Sequence, residues 1–111
     1  MRTILRQMLT DFGFEVAEAV HGRDALGYLR ENPDTNLALV DWNMPEMNGL
    51  ELIEAVRDDV RLDELLMMMV TTETEMSKLE TAMQAGANEY IMKPFSKDAI
   101  FEKLQMLGFD R

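Results

Sequence analysis

Hydrophobic positions along the chain follow two spacings, one typical of helices and one typical of buried strands. In the first segment apolar residues recur three or four positions apart until Gly13, which predicts a helix that ends there. Four later segments share this helical spacing: residues 25–29, 50–56, 79–83 and 96–107. The last of them begins at Ser96, whose hydroxyl is a favoured N-terminal cap. The pattern therefore predicts five helices.

Four shorter segments have the composition of strands. LALVD at residues 37–41 and LLMMMVT at residues 65–71 are continuous apolar runs, as expected for strands covered on both faces. FEVAEA at residues 14–19 and EYIM at residues 89–92 are shorter and are also predicted as strands. Strands that alternate with helices indicate βα units and a mostly parallel sheet with right-handed crossovers. We therefore predict one α/β domain over residues 1–111, with four strands and five helices.

Composition and charge exclude several classes of protein. The formal net charge of -10 argues against binding to nucleic acid or to anionic lipid, since both recruit basic surfaces. The sequence contains no cysteine, so it can form neither a disulfide framework nor a thiolate metal site. No apolar run approaches the ~20 residues that span a bilayer, and the first residues lack the apolar core of a signal peptide. These features predict a soluble cytoplasmic domain.

Three polar residues stand at the carboxyl ends of predicted strands: Asp41, Thr71 and Lys93. In an open parallel sheet this edge carries the ligand site. An aspartate at the end of a buried strand loses hydration and needs a compensating cation or a reaction. Taken singly, the three residues are ordinary strand-end or turn residues. Together they can bind a phosphoryl group, with the lysine offsetting charge and the aspartate acting as nucleophile or metal ligand.

Three motifs, DWNMPEMNG, MVTTE and GANEYIMKPF, resemble the core motifs of the receiver domain of bacterial response regulators, most closely the single-domain chemotaxis regulators. The resemblance runs over nearly the whole chain. It implies a flavodoxin-like (CheY-like) doubly wound parallel sheet and a signalling domain of two-component systems. In that family an aspartate receives a phosphoryl group from a histidine kinase, and the change alters the face that binds a downstream protein.

The resemblance assigns a role to five residues. Asp41 would be the phosphoacceptor, and together with the backbone carbonyl of Asn43 it would bind Mg²⁺. Thr71 would be the switch hydroxyl and Tyr90 the switch aromatic. Lys93 would contact the phosphoryl oxygens, and the peptide bond between Lys93 and the proline after it would be cis. Phosphoryl transfer to the chain itself would make the protein a signalling domain and not an enzyme acting on a free substrate.

The sequence departs from the family at its start. The family begins with a strand that ends in two acidic residues, and those carboxylates bind the metal. Here Met1 aligns inside the first helix, so we expect an N-terminally truncated receiver in which Asp41 is the only side-chain carboxylate at the metal. Such a site should bind Mg²⁺ weakly and be phosphorylated slowly or not at all. Glu18, at the end of the neighbouring predicted strand, is the one candidate substitute.

The expected truncation also has a structural consequence. In the family the first strand lies between the strands at residues 14–19 and 37–41, and both would lose hydrogen-bond partners without it. Either these two segments pair directly, or two chains pair through exposed strand edges. We favour a homodimer.

Two further classes of function compete with the receiver. A phosphorylation-independent interaction or dimerisation module is favoured by loss of the acidic pair, whereas the intact Thr71, Tyr90 and Lys93 oppose it. A flavodoxin-like cofactor binder is disfavoured because no Gly- or Ser/Thr-rich phosphate loop opens a helix. An enzyme acting on a free substrate is disfavoured as well, since no acid–base pair or nucleophile–base set is present.

Overall fold

The structure is a computed structural model that describes residues 2–19, 21–42 and 47–109. Its elements in chain order are α1 (Arg2–Phe12), α2 (Gly22–Glu31), β1 (Leu37–Asp41), α3 (Gly49–Arg57), β2 (Leu66–Thr71), α4 (Leu79–Ala85), β3 (Glu89–Met92) and α5 (Lys97–Met106). Short 3-10 turns at Val60–Leu62 and Glu73–Lys78 lead into β2 and α4. The five predicted helices are therefore confirmed. Within the described ranges, no helix is long and apolar enough to cross a bilayer.

The three strands form a parallel sheet in the order β1-β2-β3. The Cα of Asp41 lies opposite that of Val70, and the Cα of Thr71 lies opposite that of Met92. The register thus brings the carboxyl ends of all three strands to one edge. Met68, in the central strand β2, has no exposed surface, as expected for a strand flanked on both sides and covered on both faces.

Helices cover both faces of this sheet, which makes the fold doubly wound. Alternate strand residues point to opposite faces. Val40, Met67 and Met69 join a core layer with α2, α3 and α4, whereas Met68, Val70 and Ile91 join a second layer with α1 and α5. The predicted flavodoxin-like arrangement is confirmed. The side chains at the sheet edge divide between these two layers.

The segment at residues 14–19, which was predicted as a strand, forms no strand. Phe14 stacks on Phe12 with ring centroids 5.5 Å apart and meets Phe109 edge-on at 5.1 Å. In the described part of the chain the sheet has three strands, so the prediction of four was wrong, as was direct pairing of this segment with β1. A strand requires a hydrogen-bonding neighbour. The aromatic side chains therefore pack against the second layer without a backbone ladder.

Polar side chains define where three of the helices begin. The Ser96 hydroxyl accepts a hydrogen bond from the backbone N–H of Ala99 at 3.1 Å, as its predicted cap role requires. Asn48 begins α3 with a reciprocal capping box. His21 caps α2, which was not predicted: its Nδ1 accepts a hydrogen bond from the N–H of Asp24 at 3.0 Å. An imidazole nitrogen thus takes a position usually held by the side-chain oxygen of Ser, Thr, Asp or Asn.

Candidate functional site

Asp41, Thr71 and Lys93 meet at the carboxyl edge of the sheet. The ammonium Nζ of Lys93 lies 3.2 Å from Oδ1 of Asp41. The backbone N–H of Lys93 donates to the carbonyl of Thr71 at 2.6 Å, which continues the β2–β3 pairing beyond the last strand residue. Lys93 is thus attached to β2 by its backbone and to β1 by its side chain. The Lys93–Pro94 peptide bond is cis, as the resemblance implied.

The carboxylate of Asp41 remains accessible although it is paired. Its side chain is 47% exposed, and that of Lys93 is 24% exposed. An ion pair in such surroundings contributes only ~0–1 kcal/mol, so it does little to lock the carboxylate in place. The arrangement accounts for an isolated aspartate at the end of a buried strand: lysine compensates the charge while the oxygens stay open to a reactant.

Two glycines allow helices to approach the backbone that carries Asp41. The N–H of Gly49 donates to the carbonyl of Trp42 at 3.0 Å, and a Cβ added to Gly49 would lie 2.5 Å from the carbonyl oxygen of Asp41. A Cβ on Gly22, the first residue of α2, would similarly collide with the carbonyl oxygen of Met47. The first turns of α2 and α3 therefore rest directly on the loop that follows β1.

Trp42 and Thr71 form a buried pair on the face of the sheet covered by α3 and α4. Trp42 is 6% exposed and Thr71 is 0% exposed. The indole Nε1–H of Trp42 donates to Oγ1 of Thr71 at 3.1 Å, and the Thr71 hydroxyl donates to the carbonyl of Thr72 at 3.3 Å. The sequence alone indicated no chemistry for Trp42. Alternation along β1 could have indicated its burial, because Trp42 comes two residues after Val40 and points to the same face of the sheet.

Tyr90 is half-buried in β3 and packs against the core layer under α3 and α4. The ammonium of Lys103, on α5, lies 4.4 Å from the centroid of the Tyr90 ring and 3.2 Å from Oε1 of Glu89. A cation over an aromatic face is attracted by the ring's negative centre. Lys103 was not identified from the sequence. Through this contact Lys103 connects Tyr90, the aromatic expected to act as the switch, to α5.

Of the two expected metal ligands, the structure describes only Asp41. Asn43 lies outside the described residues. Among the residues that the structure does describe, no three Asp, Glu or His side chains are grouped so that they could hold a metal ion. Glu18, the candidate substitute, pairs with Nη1 of Arg6 at 2.8 Å. Asp41 is a hard oxygen donor of the kind that Mg²⁺ accepts alongside waters and phosphate oxygens. The donors present therefore fit this ion, although the protein would supply few of its ligands.

Known proteins with similar sequences or folds were found over nearly the whole chain. Residues 1–105 match the family described as the response regulator receiver domain. The chain is 45% identical over 108 residues to chemotaxis protein CheY1 of Helicobacter pylori, covering 96% of this chain and 87% of that protein. It is 44% identical over 106 residues to a CheY homolog of Campylobacter jejuni, covering 95% and 82%. A solved structure of chemotaxis protein CheY4 of Vibrio cholerae superposes with a TM-score of 0.85 at 32% identity, covering 95% and 87%.

Proposed function

Because the chain belongs to the response regulator receiver family of two-component systems, we propose that Asp41 accepts a phosphoryl group and that the acylphosphate alters a protein-binding face. Receiver domains are signalling domains, and the relatives named above act in chemotaxis. One observation carries the proposal: an accessible carboxylate lies 3.2 Å from a lysine ammonium at the carboxyl edge of the sheet. That is the position at which open α/β sheets bind ligands.

The proposed reaction is a transfer from a phosphohistidine on a histidine kinase. A carboxylate oxygen of Asp41 attacks phosphorus, and the new P–O bond forms as the P–N bond breaks, so the imidazole leaves and takes a proton from solvent. The ammonium of Lys93 stays beside the phosphoryl oxygens and stabilises their charge. Mg²⁺, bound by the Asp41 carboxylate and the Asn43 carbonyl, would supply further charge neutralisation.

The downstream event is proposed at the face that carries Tyr90. The hydroxyl of Thr71 donates to a phosphoryl oxygen on Asp41, and Tyr90 then repacks on the surface formed by β3 and α5. Lys103 lies over the Tyr90 ring, so this movement would also redistribute positive charge on the face. The partner is a protein that distinguishes the two arrangements.

We expect acetyl phosphate with Mg²⁺ to add a phosphoryl group to only a small fraction of the chain. The reason is that one carboxylate, one carbonyl and waters should bind Mg²⁺ weakly. Intact mass spectrometry measures the adduct, and Asp41→Asn is the control that must lose it. A second chain, extended by a strand that ends in two aspartates, should give more adduct.

The outcomes of this experiment separate two parts of the proposal. A large adduct on the chain itself that disappears in Asp41→Asn would support the phosphoacceptor and contradict the weak metal site. An adduct that persists in Asp41→Asn, or no adduct even on the extended chain, would contradict the phosphoacceptor. In the latter case a phosphorylation-independent interaction module is the better description.

We also propose that a second copy of the chain covers the free edge of β1. Within the described sheet β1 pairs only with β2. The carbonyl of Asn36 accepts from the N–H of Leu66, so strand alternation directs the N–H groups of Leu37 and Leu39 to the opposite edge. Unpaired edge groups are a template for another strand. The same edge on two copies can pair about a two-fold axis.

The dimer is tested by analytical ultracentrifugation together with hydrogen exchange. We expect a dimer at micromolar concentrations, with slow exchange at the amides of Leu37 and Leu39 that becomes fast on dilution to the monomer. A monomer at all concentrations would contradict the proposal. So would a dimer in which these two amides exchange as quickly as those of a free edge.

A further inference from the structure

The hydrogen bond between Trp42 and Thr71 connects the proposed switch to a buried donor. The hydroxyl of Thr71 both accepts and donates: Oγ1 accepts from the indole at 3.1 Å, and the O–H donates to the carbonyl of Thr72 at 3.3 Å. The second distance is long for a hydroxyl donor, so that bond is the weaker one. The indole bond therefore fixes where the hydroxyl lies.

Movement of the Thr71 hydroxyl would leave the indole without its acceptor. Trp42 is 6% exposed, so water has little access to replace a lost partner. A buried donor left unsatisfied costs more than an average hydrogen bond contributes. Any state in which Thr71 turns toward Asp41 is thus disfavoured until the indole finds a new acceptor.

We propose that Trp42 is a positioning residue that restrains Thr71, so that its indole N–H opposes the turn of the hydroxyl toward a phosphoryl group on Asp41. The inference rests on the proposed function, because it names the residue that opposes the movement of the Thr71 hydroxyl in that same switch. The restraint acts through a hydrogen bond between Thr71, the last residue of β2, and Trp42, which directly follows Asp41 at the end of β1.

The Trp42 side chain also connects the restraint on Thr71 to the protein surface. Its ring lies at a groove between the start of α3 and the 3-10 turn before α4, lined by Trp42, Asn48, Leu50, Ser77, Lys78 and Thr81. The ammonium of Lys78 lies 6.0 Å from the ring centroid. When the indole loses Thr71, the ring can shift toward this groove, and the turn that leads into α4 would respond.

A single resonance reports on the restraint, because the chain has one tryptophan. In isotope-labelled protein the indole N–H signal is recorded by NMR in wild type, Thr71→Val and Thr71→Ser. Valine keeps the shape and removes the acceptor, whereas serine keeps the hydroxyl. We expect the signal of Thr71→Val to shift and to exchange with solvent about tenfold faster. The Thr71→Ser signal should remain close to wild type.

Beryllium fluoride with Mg²⁺ then serves as the probe of the phosphoryl state. Its binding should move the wild-type indole signal toward the position seen in Thr71→Val. Trp42→Phe, which keeps a buried ring and removes the donor, should bind the probe about tenfold more tightly, as judged by fluorine NMR. Asp41→Asn should abolish binding in every background.

The outcomes distinguish this inference from the proposed function. If the probe binds in an Asp41-dependent way but the indole signal stays in place, or if Trp42→Phe binds no more tightly than wild type, the restraint is wrong and the phosphoacceptor stands. If the probe binds neither wild type nor the chain extended by a strand that ends in two aspartates, both are wrong. If it binds only the extended chain, the same comparisons made in that background decide the restraint. An indole signal that is the same in Thr71→Val and wild type would refute the restraint without reference to phosphorylation.

Discussion

Replacing Arg57 with alanine is expected to lower the free energy of unfolding by about 2–4 kcal/mol, a large part of what a domain of this size possesses. The guanidinium donates to five acceptors at distances between 2.8 and 3.3 Å: the carbonyls of Leu62, Asp63, Leu65 and Gly86, and Oδ1 of Asn88. These bonds join the end of α3 to the turn before β2 and to the end of α4. Alanine would remove this donor from the part-buried carbonyls of Leu65 and Gly86. The carbonyl of Leu62 would keep the N–H of Leu65 as a donor, and Oδ1 of Asn88 would keep the N–H of Met67.

Arg61→Ala is the matched control for this substitution. The side chain of Arg61 is 62% exposed and pairs with Asp59, so its removal should leave stability nearly unchanged. Urea unfolding followed by circular dichroism gives both values. A loss below about 1 kcal/mol for Arg57→Ala would show that water replaces the guanidinium without cost. Burial lowers the pKa of Arg57, and Asp63 opposes this, yet a guanidinium stays protonated throughout the usual pH range.

Gly49→Ala is expected to destabilise the protein by about 1–3 kcal/mol, because a side chain has no room where α3 meets β1. The added Cβ would lie 2.5 Å from the carbonyl oxygen of Asp41 and 3.2 Å from the Cα of Trp42. Both neighbours are backbone atoms and cannot turn aside. Relief of the collision would displace α3 from the loop and move the carboxylate of Asp41 away from Lys93.

Gly27→Ala makes the same chemical change as Gly49→Ala and is expected to have the opposite effect on stability. Gly27 lies on the exposed side of α2, and a Cβ there would meet nothing within 4 Å. Alanine should therefore stabilise the helix by about 0.5–1 kcal/mol. Thermal unfolding of both variants measures the contrast. Equal melting temperatures would indicate that the α3–β1 contact is loose and that Gly49 is not required for close approach.

Hydrophobic spacing was sufficient to predict the five helices and three strands, because each of these elements packs apolar residues marked by the pattern into one of the two core layers, although Ile4, Met83 and Met92 stay exposed. It failed at residues 14–19, where Phe14 and Val16 alternate as in a strand but pack against α1 and α5. Alternation shows that side chains face a core. It carries no information on whether another backbone lies alongside to complete a ladder.

The candidate site followed from the rule that parallel strands end at one edge, which identified Asp41, Thr71 and Lys93 as neighbours. The contacts that position them could not be predicted in the same way. The bond from Trp42 to Thr71 joins residues 29 positions apart, and the bond from Arg57 to Asn88 joins residues 31 apart. Such pairs depend on side-chain geometry after the elements have packed.

The methionines at the centre of β2 make the protein vulnerable to cumulative oxidation. Met67, Met68 and Met69 are 0% exposed, whereas Met106 is 64% exposed. Peroxide can convert Met106 to its sulfoxide on the surface with little consequence, but it reaches β2 only when the sheet opens. A sulfoxide formed there is polar and no longer fits the core. Each opening under oxidising conditions can thus remove a molecule from the native population. A methionine sulfoxide in β2 would mark a molecule that has opened at least once.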